Sequence, residues 1–507
     1  MYGGLYPNVS KVVFVNGELD PWHRLSSFLF ICLLSTVKCF SIFGHRNGMN
    51  YLLKEFNKTV KLTLFDSSMI KTQWIEQPLD HFNETDNRKW KMRYLQRLDM
   101  WKTGGPIYLY IGGEGSISER FLQIGTTYYY QLVEETNGAL FLSEHRYYGD
   151  SKPFEDFTPE NLLYLSSRQA LADIARLLES VKKRPEFAES KVVVIGGSYA
   201  GNLAAWLKLL YPDLVDAAVA SSGPVKAKTD FYEYLETVSV DFKQYGTPGC
   251  YEQIEQIFKE YDRKFETAEG IRQLKEEEQI CPETDMTKLE NKQVFFGVKA
   301  YEFMDASQYG DLNRIKAVCG SLNNNSRIVS EIDETAITWN EKSNCYDYEF
   351  ETMIQHLKKT DNNIAWTYQT CTEFGYFLTT SSDNQPFTKN VPVDFSFKIC
   401  TALFGKEFDE KRVEDGVKKT NEMYGGLYPN VSKVVFVNGE LDPWHRLSVL
   451  EDISYDAPAK VIPFSSHCRD LHSDKKDDLE ELKEARRYIK NLVKKWIGAG
   501  EYANSNL

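Results

Sequence analysis

Lys191-Val192-Val193-Val194-Ile195-Gly196-Gly197-Ser198-Tyr199-Ala200-Gly201 is the stretch that decides how this chain folds. Four β-branched residues, Val192 to Ile195, predict a short buried strand. Gly196 and Gly197 permit a sharp turn, and Asn202-Leu203-Ala204-Ala205-Trp206-Leu207 reads as the helix that follows. A serine on such a corner has its hydroxyl held up at the carboxyl edge of a sheet. The backbone N–H of Tyr199, in the first turn of the helix, then points at any oxyanion formed there. The usual pattern of such an elbow is G-x-S-x-G, and Ala200 stands where the second glycine would be. Alanine is the smallest replacement, so helix and strand can still pack closely. Taken alone, the run also fits a glycine-rich strand-to-helix turn with a chance serine.

Residues downstream separate the two readings. In an α/β-hydrolase the triad runs Ser, then Asp or Glu, then His along the chain. Asp442 follows the apolar strand Val434-Val435-Phe436-Val437 and the turn Asn438-Gly439. A second short strand, Val461-Ile462-Pro463-Phe464, leads through Ser465-Ser466 to His467, 25 residues beyond Asp442. That spacing leaves room for a helix and a strand and puts both groups on neighbouring loops at the serine's sheet edge. His467 would take the proton from Ser198, and Asp442 would fix the imidazole tautomer and stabilise the imidazolium. His445 is three residues from Asp442, lacks an intervening strand and reads as structural. His472 reads as a surface residue opening the last helix. Glu440 shares the Asp442 loop and is the weaker candidate for the orienting acid.

The rest of the chain fits an α/β-hydrolase core with a parallel-rich sheet and an inserted helical cap. Ile107-Tyr108-Leu109-Tyr110-Ile111 is a strand running into Gly112-Gly113-Glu114-Gly115. In this fold that loop supplies the second oxyanion N–H, so the Gly113 and Glu114 amides join Tyr199 as candidates. Each such donor contributes about 2.7–4 kcal/mol to the transition state. Ala139-Leu140-Phe141-Leu142 and Ala217-Ala218-Val219-Ala220 are further core strands, and Ser167 reads as the cap of a helix through Val181. Strands alternating with helices argue for a parallel sheet. From about residue 226 to 355 strand-like runs thin out, charged helical stretches such as Lys275-Glu276-Glu277-Glu278 appear, and cysteines concentrate. This divides the chain into a core segment 44–225, a helical cap 226–355 and a second core segment 356–500, with a helix from Ser473 to Trp496 closing it.

Four motifs carry a family resemblance: Gly196 to Gly201, Glu144-His145-Arg146-Tyr147-Tyr148-Gly149, Trp366 to Gly375, and Asn438 to His445. Together they resemble the serine carboxypeptidase family of lysosomal Pro-X carboxypeptidase and dipeptidyl peptidase II, nearest in look to its thymus-specific serine protease branch. The likeness runs from roughly Gln73 to Trp496. It implies a peptidase on an α/β-hydrolase core with a helical cap, cutting next to proline near a peptide terminus, with its triad at Ser198, Asp442 and His467. It also favours a Cys371–Cys400 disulfide. A pyrrolidine ring asks for flat apolar walls. Trp444, two residues past Asp442, is the first candidate for such a wall, and Trp366 and Tyr376 are the next.

Residues 1–26 repeat residues 423–448 letter for letter, so Asp20 and His23 copy Asp442 and His445. One strand and one loop cannot bury a face by themselves. The expectation is a misplaced or duplicated stretch, with Asp20 outside the catalytic set. The apolar run Ser27 to Val37 then reads as a signal peptide over residues 27–43, short of the ~20 residues a spanning helix needs. Cys32 and Cys39 fall in or beside this leader, which leaves Cys250, Cys281, Cys319, Cys345, Cys371, Cys400 and Cys468. None has C-x-x-C spacing, so no metal site is expected and disulfides are. The four from Cys250 to Cys345 would staple the cap in one of three pairings, leaving Cys468 a buried free thiol. Sequons at Asn57, Asn83, Asn324 and Asn430 suit a glycosylated, secreted or lysosomal/endosomal protein.

Lys plus Arg number 60 against 73 Asp plus Glu, a net charge of −13, which disfavours nucleic acid and anionic membrane surfaces as partners. No cofactor and no stable membrane insertion are expected; peptides are the expected partners, and a homodimer stays open. The leading expectation is a serine exopeptidase working through an acyl-enzyme. The alternatives are an esterase or lipase of the same fold, or an inactive hydrolase fold used for binding.

Overall fold

The computed structural model describes residues 67–123, 125–322, 339–340 and 345–499. The 1–26 copy, the leader at 27–43 and the sequons at Asn57 and Asn324 lie outside the described residues. An eight-stranded sheet is built from β1 (Ile70–Pro78), β2 (Lys89–Arg97), β3 (Ile107–Ile111), β4 (Ala139–Ser143), β5 (Val192–Gly197), β6 (Ala217–Ser221), β7 (Val434–Gly439) and β8 (Ala459–Ile462). Their order across the sheet is β1-β2-β4-β3-β5-β6-β7-β8. β2 pairs antiparallel with β1 and β4, and every later pairing is parallel. This is the α/β-hydrolase fold.

Composition explains why the central strands stay central. β3, β4 and β6 are buried at every position, and β7 is too. Parallel strands covered on both faces need such continuous apolar runs. Alternate residues feed two cores: Val192 and Val194 point to one, Val193 and Ile195 to the other.

The longer helices are α1 (Ser167–Lys182), α2 (Tyr199–Leu210), α3 (Glu233–Tyr245), α4 (Cys250–Phe265), α5 (Ala268–Glu277), α6 (Leu289–Tyr309), α7 (Leu312–Leu322), α8 (Phe350–Lys359), α9 (Asp361–Gln369), α10 (Val393–Phe404), α11 (Glu410–Tyr424) and α12 (Glu480–Trp496). Residues of α1 and α2 join the first core, and Leu482, Ala485, Ile489 and Val493 of α12 join the second. Among the described residues no helix is long and apolar enough to cross a membrane.

Between β6 and β7, helices α3 to α7 lie in the charged, cysteine-rich sequence and α8 to α11 follow. Disulfides Cys250–Cys319 and Cys281–Cys345 close it, and Cys371–Cys400 ties the returning chain to α10. α6 is buried nearly all round, with Val294, Phe295, Phe296 and Phe303 in the core, as expected of a central rather than a surface helix. Its last turn reaches the sheet edge.

Three local expectations are corrected. Ser166, not Ser167, caps α1: its hydroxyl accepts the Gln169 N–H, while the Ser167 hydroxyl is engaged by Glu373. The last helix begins at Glu480 rather than Ser473, because Asp478 takes the Lys475 N–H and the Arg486 guanidinium and holds the preceding segment as a loop. His472 is buried, not on the surface: it pairs with Thr127 in an isolated bridge, and burial holds its imidazole well below the ordinary value.

Candidate active site

Two glycines around the corner after β5, Gly196 and Gly201, leave no room for a side chain. A Cβ on Gly196 would lie 1.9 Å from the Ala200 carbonyl oxygen, and one on Gly201 2.7 Å from the Ser221 oxygen. With these contacts open, the chain turns through Ser198 at φ 58° and ψ −132°, a left-handed conformation that costs energy in a non-glycine residue. Ser198 is held there because its N–H donates to the Ser221 oxygen at 2.9 Å and its carbonyl accepts the Gly201 N–H at 2.8 Å. Tyr199 opens α2, where a first-turn N–H has no intrahelical acceptor.

Gly113 lies over this turn. A Cβ placed on it would stand 3.5 Å from the Ala200 nitrogen. A cavity of about 30 Å³ sits between them, lined by Gly113, Glu114, Gly197, Ala200 and Leu471 among others. Glu114 is buried at its rim.

The acid and the imidazole come from the loops after β7 and β8. Gly439 admits the second loop, since a Cβ there would meet the Ser465 oxygen at 2.2 Å. Leu441 N–H donates to that same oxygen at 3.0 Å, which fastens the two loops together. His467 Nδ1 lies 2.7 Å from Asp442 Oδ2, and both side chains are buried. The other Asp442 oxygen accepts the Trp444 N–H at 3.1 Å. Burial works to lower the imidazole, yet the Asp442 charge, with the Cys468 sulfur beside it, carries it well above the ordinary value. His467 Nε2 is buried and makes no hydrogen bond, to Ser198 or to any other described group. With Nδ1–H directed at Asp442, the free lone pair of the neutral ring lies on Nε2.

Two groups that sequence reading passed over bring these parts together. Ser221 ends β6 and Ser222 follows it, between the elbow and the imidazole loop. Ser221 accepts the Ser198 N–H and donates its hydroxyl to buried Asp470; Ser222 Oγ accepts the Cys468 N–H at 2.9 Å, and its own N–H donates to the Val437 oxygen at 2.6 Å. A Cβ on Gly197 would meet Cys468 Sγ at 3.0 Å, so residues 197 and 468 are direct neighbours. Cys468 is a buried free thiol. The second group is the end of α6: the His467 N–H donates to the Gln308 carbonyl at 2.8 Å, and the Tyr309 ring meets the imidazole edge-on at 5.8 Å. A strand running out through Ala220-Ser221-Ser222-Gly223 and a helix ending at Gln308-Tyr309 give no sign of such work in isolation.

The Glu144–Gly149 motif supports the elbow from below. His145 Nε2 and Gln369 Nε2 each lie 3.0 Å from the Tyr199 hydroxyl, and Tyr148 donates to Gln369 Oε1 at 2.7 Å. Burial lowers the His145 imidazole to about 4. Arg146 forks onto buried Asp173 of α1 at 2.6 and 2.9 Å. Glu373, in the wide helical turn after α9, accepts both the N–H and the hydroxyl of Ser167, and enclosure of its carboxyl pushes it up to about 7.

The three wall candidates are all buried and belong to one aromatic cluster. Trp444 packs on Phe231, Tyr234 and Tyr376, while Trp366 packs on Tyr199 and Phe374. Tyr376 donates its hydroxyl to the Pro224 carbonyl. His445 is half-buried, with its imidazole lowered by burial, and Glu440 accepts from Tyr245 and from the Phe464 N–H. Asn83 and Asn430 are exposed.

A serine on a strained strand-to-helix corner, with a buried histidine–aspartate pair on the loops beyond the neighbouring strands, defines the hydrolase class of this fold. Residues 77–489 match the Serine carboxypeptidase S28 family, and the chain belongs to it. It is 33% identical to the thymus-specific serine protease of Mus musculus over 453 residues, covering 84% of this chain and 87% of that one. It is 31% identical to the lysosomal Pro-X carboxypeptidase of Bos taurus over 458 residues, covering 84% and 87%. The human thymus-specific serine protease is 30% identical over 457 residues, covering 85% and 87%. The chain is a serine peptidase.

Proposed function

We propose that this peptidase removes residues from a peptide terminus next to proline, using Ser198 as nucleophile, His467 as general base and then acid, and Asp442 as the orienting carboxylate. The observation that carries this reading is the buried 2.7 Å His467–Asp442 pair, delivered to the sheet edge where Ser198 is held on its corner. In the first half-reaction His467 Nε2 takes the Ser198 proton as the hydroxyl oxygen attacks the peptide carbonyl. The N–H groups of Tyr199 and of Gly113 or Glu114 receive the charge on the carbonyl oxygen. His467 passes the proton to the departing amine, and water repeats the sequence on the acyl-enzyme.

Trp444 on the acid loop, and Trp366 and Tyr376 in the same aromatic cluster, are the proposed walls for a pyrrolidine ring. The lysosomal Pro-X carboxypeptidase relative is named for such a preference and such a location. Three disulfides suit a lysosomal or secreted protein. The test is a fluorophosphonate probe followed by a peptide library with proline at each position from either end. Labelling that vanishes in Ser198→Ala, with cleavage confined to bonds beside a near-terminal proline, is expected. Equal labelling of both proteins, or faster turnover of acyl esters than of any peptide, would refute it.

A further inference from the structure

The loop carrying Asp442 has a second side, turned toward α3. A cavity of about 360 Å³ lies there, and its lining includes Glu236, Asp241, Tyr245, Glu440, His445 and Arg446. Glu236 already accepts from Ser382 and Asn384 and lies 3.9 Å from Arg446. Glu440 is held by Tyr245 and the Phe464 N–H. Asp241 differs from both: it is 2% exposed, and its Oδ2 is buried with no hydrogen-bond partner. Leaving a buried carboxylate oxygen unmatched is costly, and here the unmatched group lines a cavity.

Resting on the peptidase reading above, we propose that this cavity is a subsite for an alkylammonium group of the peptide substrate, with Asp241 as its counter-ion. The cavity carries three carboxyl groups against one guanidinium, which favours a cation. Burial, with the Glu440 and Asp442 charges adding to it, pushes the Asp241 carboxyl well above the usual range, and the Ser307 hydroxyl opposes this only in part. A bound ammonium supplies the missing positive charge and restores the ionised form. Glu440 and His445 flank Asp442 on one loop, so the cavity adjoins the loop that carries the proposed orienting carboxylate. The ammonium can belong to a free peptide amino terminus or to a lysine side chain.

Binding is measured by calorimetry at about pH 6.5, where an α-amino group is protonated, on the full-length Ser198→Ala protein. The probes are Ala-Pro amide, N-acetyl-Ala-Pro amide and N-acetyl-Lys-Pro amide. The expected result is about tenfold tighter binding of at least one ammonium-bearing peptide than of N-acetyl-Ala-Pro amide. Preference for Ala-Pro amide alone assigns the amino terminus; preference for the lysine peptide assigns the side chain. Asp241→Asn should bring the peptides to parity. Val240→Lys, at the exposed rim of the cavity on α3, should do the same without altering the buried carboxyl, which covers the case in which Asp241→Asn fails to fold. Equal affinities in the parent protein, no binding by any of the three, or a preference that survives a folded variant would overturn the proposal. Turnover is not needed for this readout, so its failure is separable from failure of the peptidase reading, which active-site labelling tests.

Discussion

The backbone N–H of His467 donates to the carbonyl of Gln308 at 2.8 Å, which joins the imidazole loop to the end of the buried cap helix α6. Gln308 is also fixed from its side chain, since the Tyr234 hydroxyl of α3 donates to its Oε1 at 2.5 Å. The inserted helix α6 therefore contacts the imidazole loop directly. It supplies one of the supports that set where the imidazole stands.

Gln308→Ala should be felt in both stability and turnover. It removes the acceptor of a fully buried tyrosine hydroxyl, at a cost of about 1–3 kcal/mol. The expected outcome is a lowered Tm together with a reduced kcat, read by calorimetry and by hydrolysis of a prolyl reporter peptide. A lowered Tm with kcat unchanged would mean that the α6 carbonyl holds its place without help from the side chain.

Asp442→Asn keeps the size of the group and the oxygen that accepts the Trp444 N–H, but its amide cannot accept from His467 Nδ1. The imidazole then loses its tautomer preference. A fall in kcat of about 10⁴-fold with KM little changed is expected, with circular dichroism showing an intact fold. Retention of more than a tenth of the activity would assign the orienting role elsewhere, Glu440 being the alternative on the same loop.

Gly197→Ala tests how tightly the elbow and the imidazole loop are fitted. The new methyl would stand 2.6 Å from Leu471 Cδ1 and 3.0 Å from Cys468 Sγ. Leu471 can swing aside, while Cys468 is tied by its N–H to Ser222. The added atom should therefore press on the residue beside His467, and a displacement of an ångström at a reacting group costs up to about 10²-fold in rate. Slower fluorophosphonate labelling at unchanged secondary structure is the outcome expected.

Glu373 gives a pH dependence whose sign can be worked out. Its carboxyl sits at about 7 in the folded protein against an ordinary value near 4.5, because enclosure outweighs the Ser167 and Gln369 hydrogen bonds. A raised value means that the folded state holds its proton longer than the unfolded chain. The associated stability is complete below about pH 4.5 and is lost as pH rises through about 7, on the order of 3 kcal/mol in all. Glu373→Gln should flatten the Tm against pH profile across that window. An unchanged slope would place the titrating group elsewhere.

Much of the fold could be read before any coordinates, because its signals are local. Val192–Ile195, Val434–Val437 and Ile107–Ile111 are apolar runs of strand length next to glycine turns, and each is a strand of the sheet. The spacing of Asp442 and His467 brings the two together, since one strand and two loops separate them. Misreadings came where a contact distant in sequence decided the outcome. His472 looks polar and exposed beside Arg469 and Lys475, but its pairing with Thr127 buries it. Ser167 looks like a cap until Glu373, 206 residues away, engages its hydroxyl. Gln308 and Ser222 carry no pattern of their own, and their part in the site follows only from which elements the sheet and cap bring near.

The dependence of residue 467 on residue 308 also bears on how the molecule comes into being. During synthesis the corner at Ser198 emerges long before the last two strands of the sheet. A nascent chain that has reached residue 430 holds a hydroxyl without its base and an α6 end with nothing to support. On the proposed assignment, cutting ability arises only when the last two strands thread in beside β6.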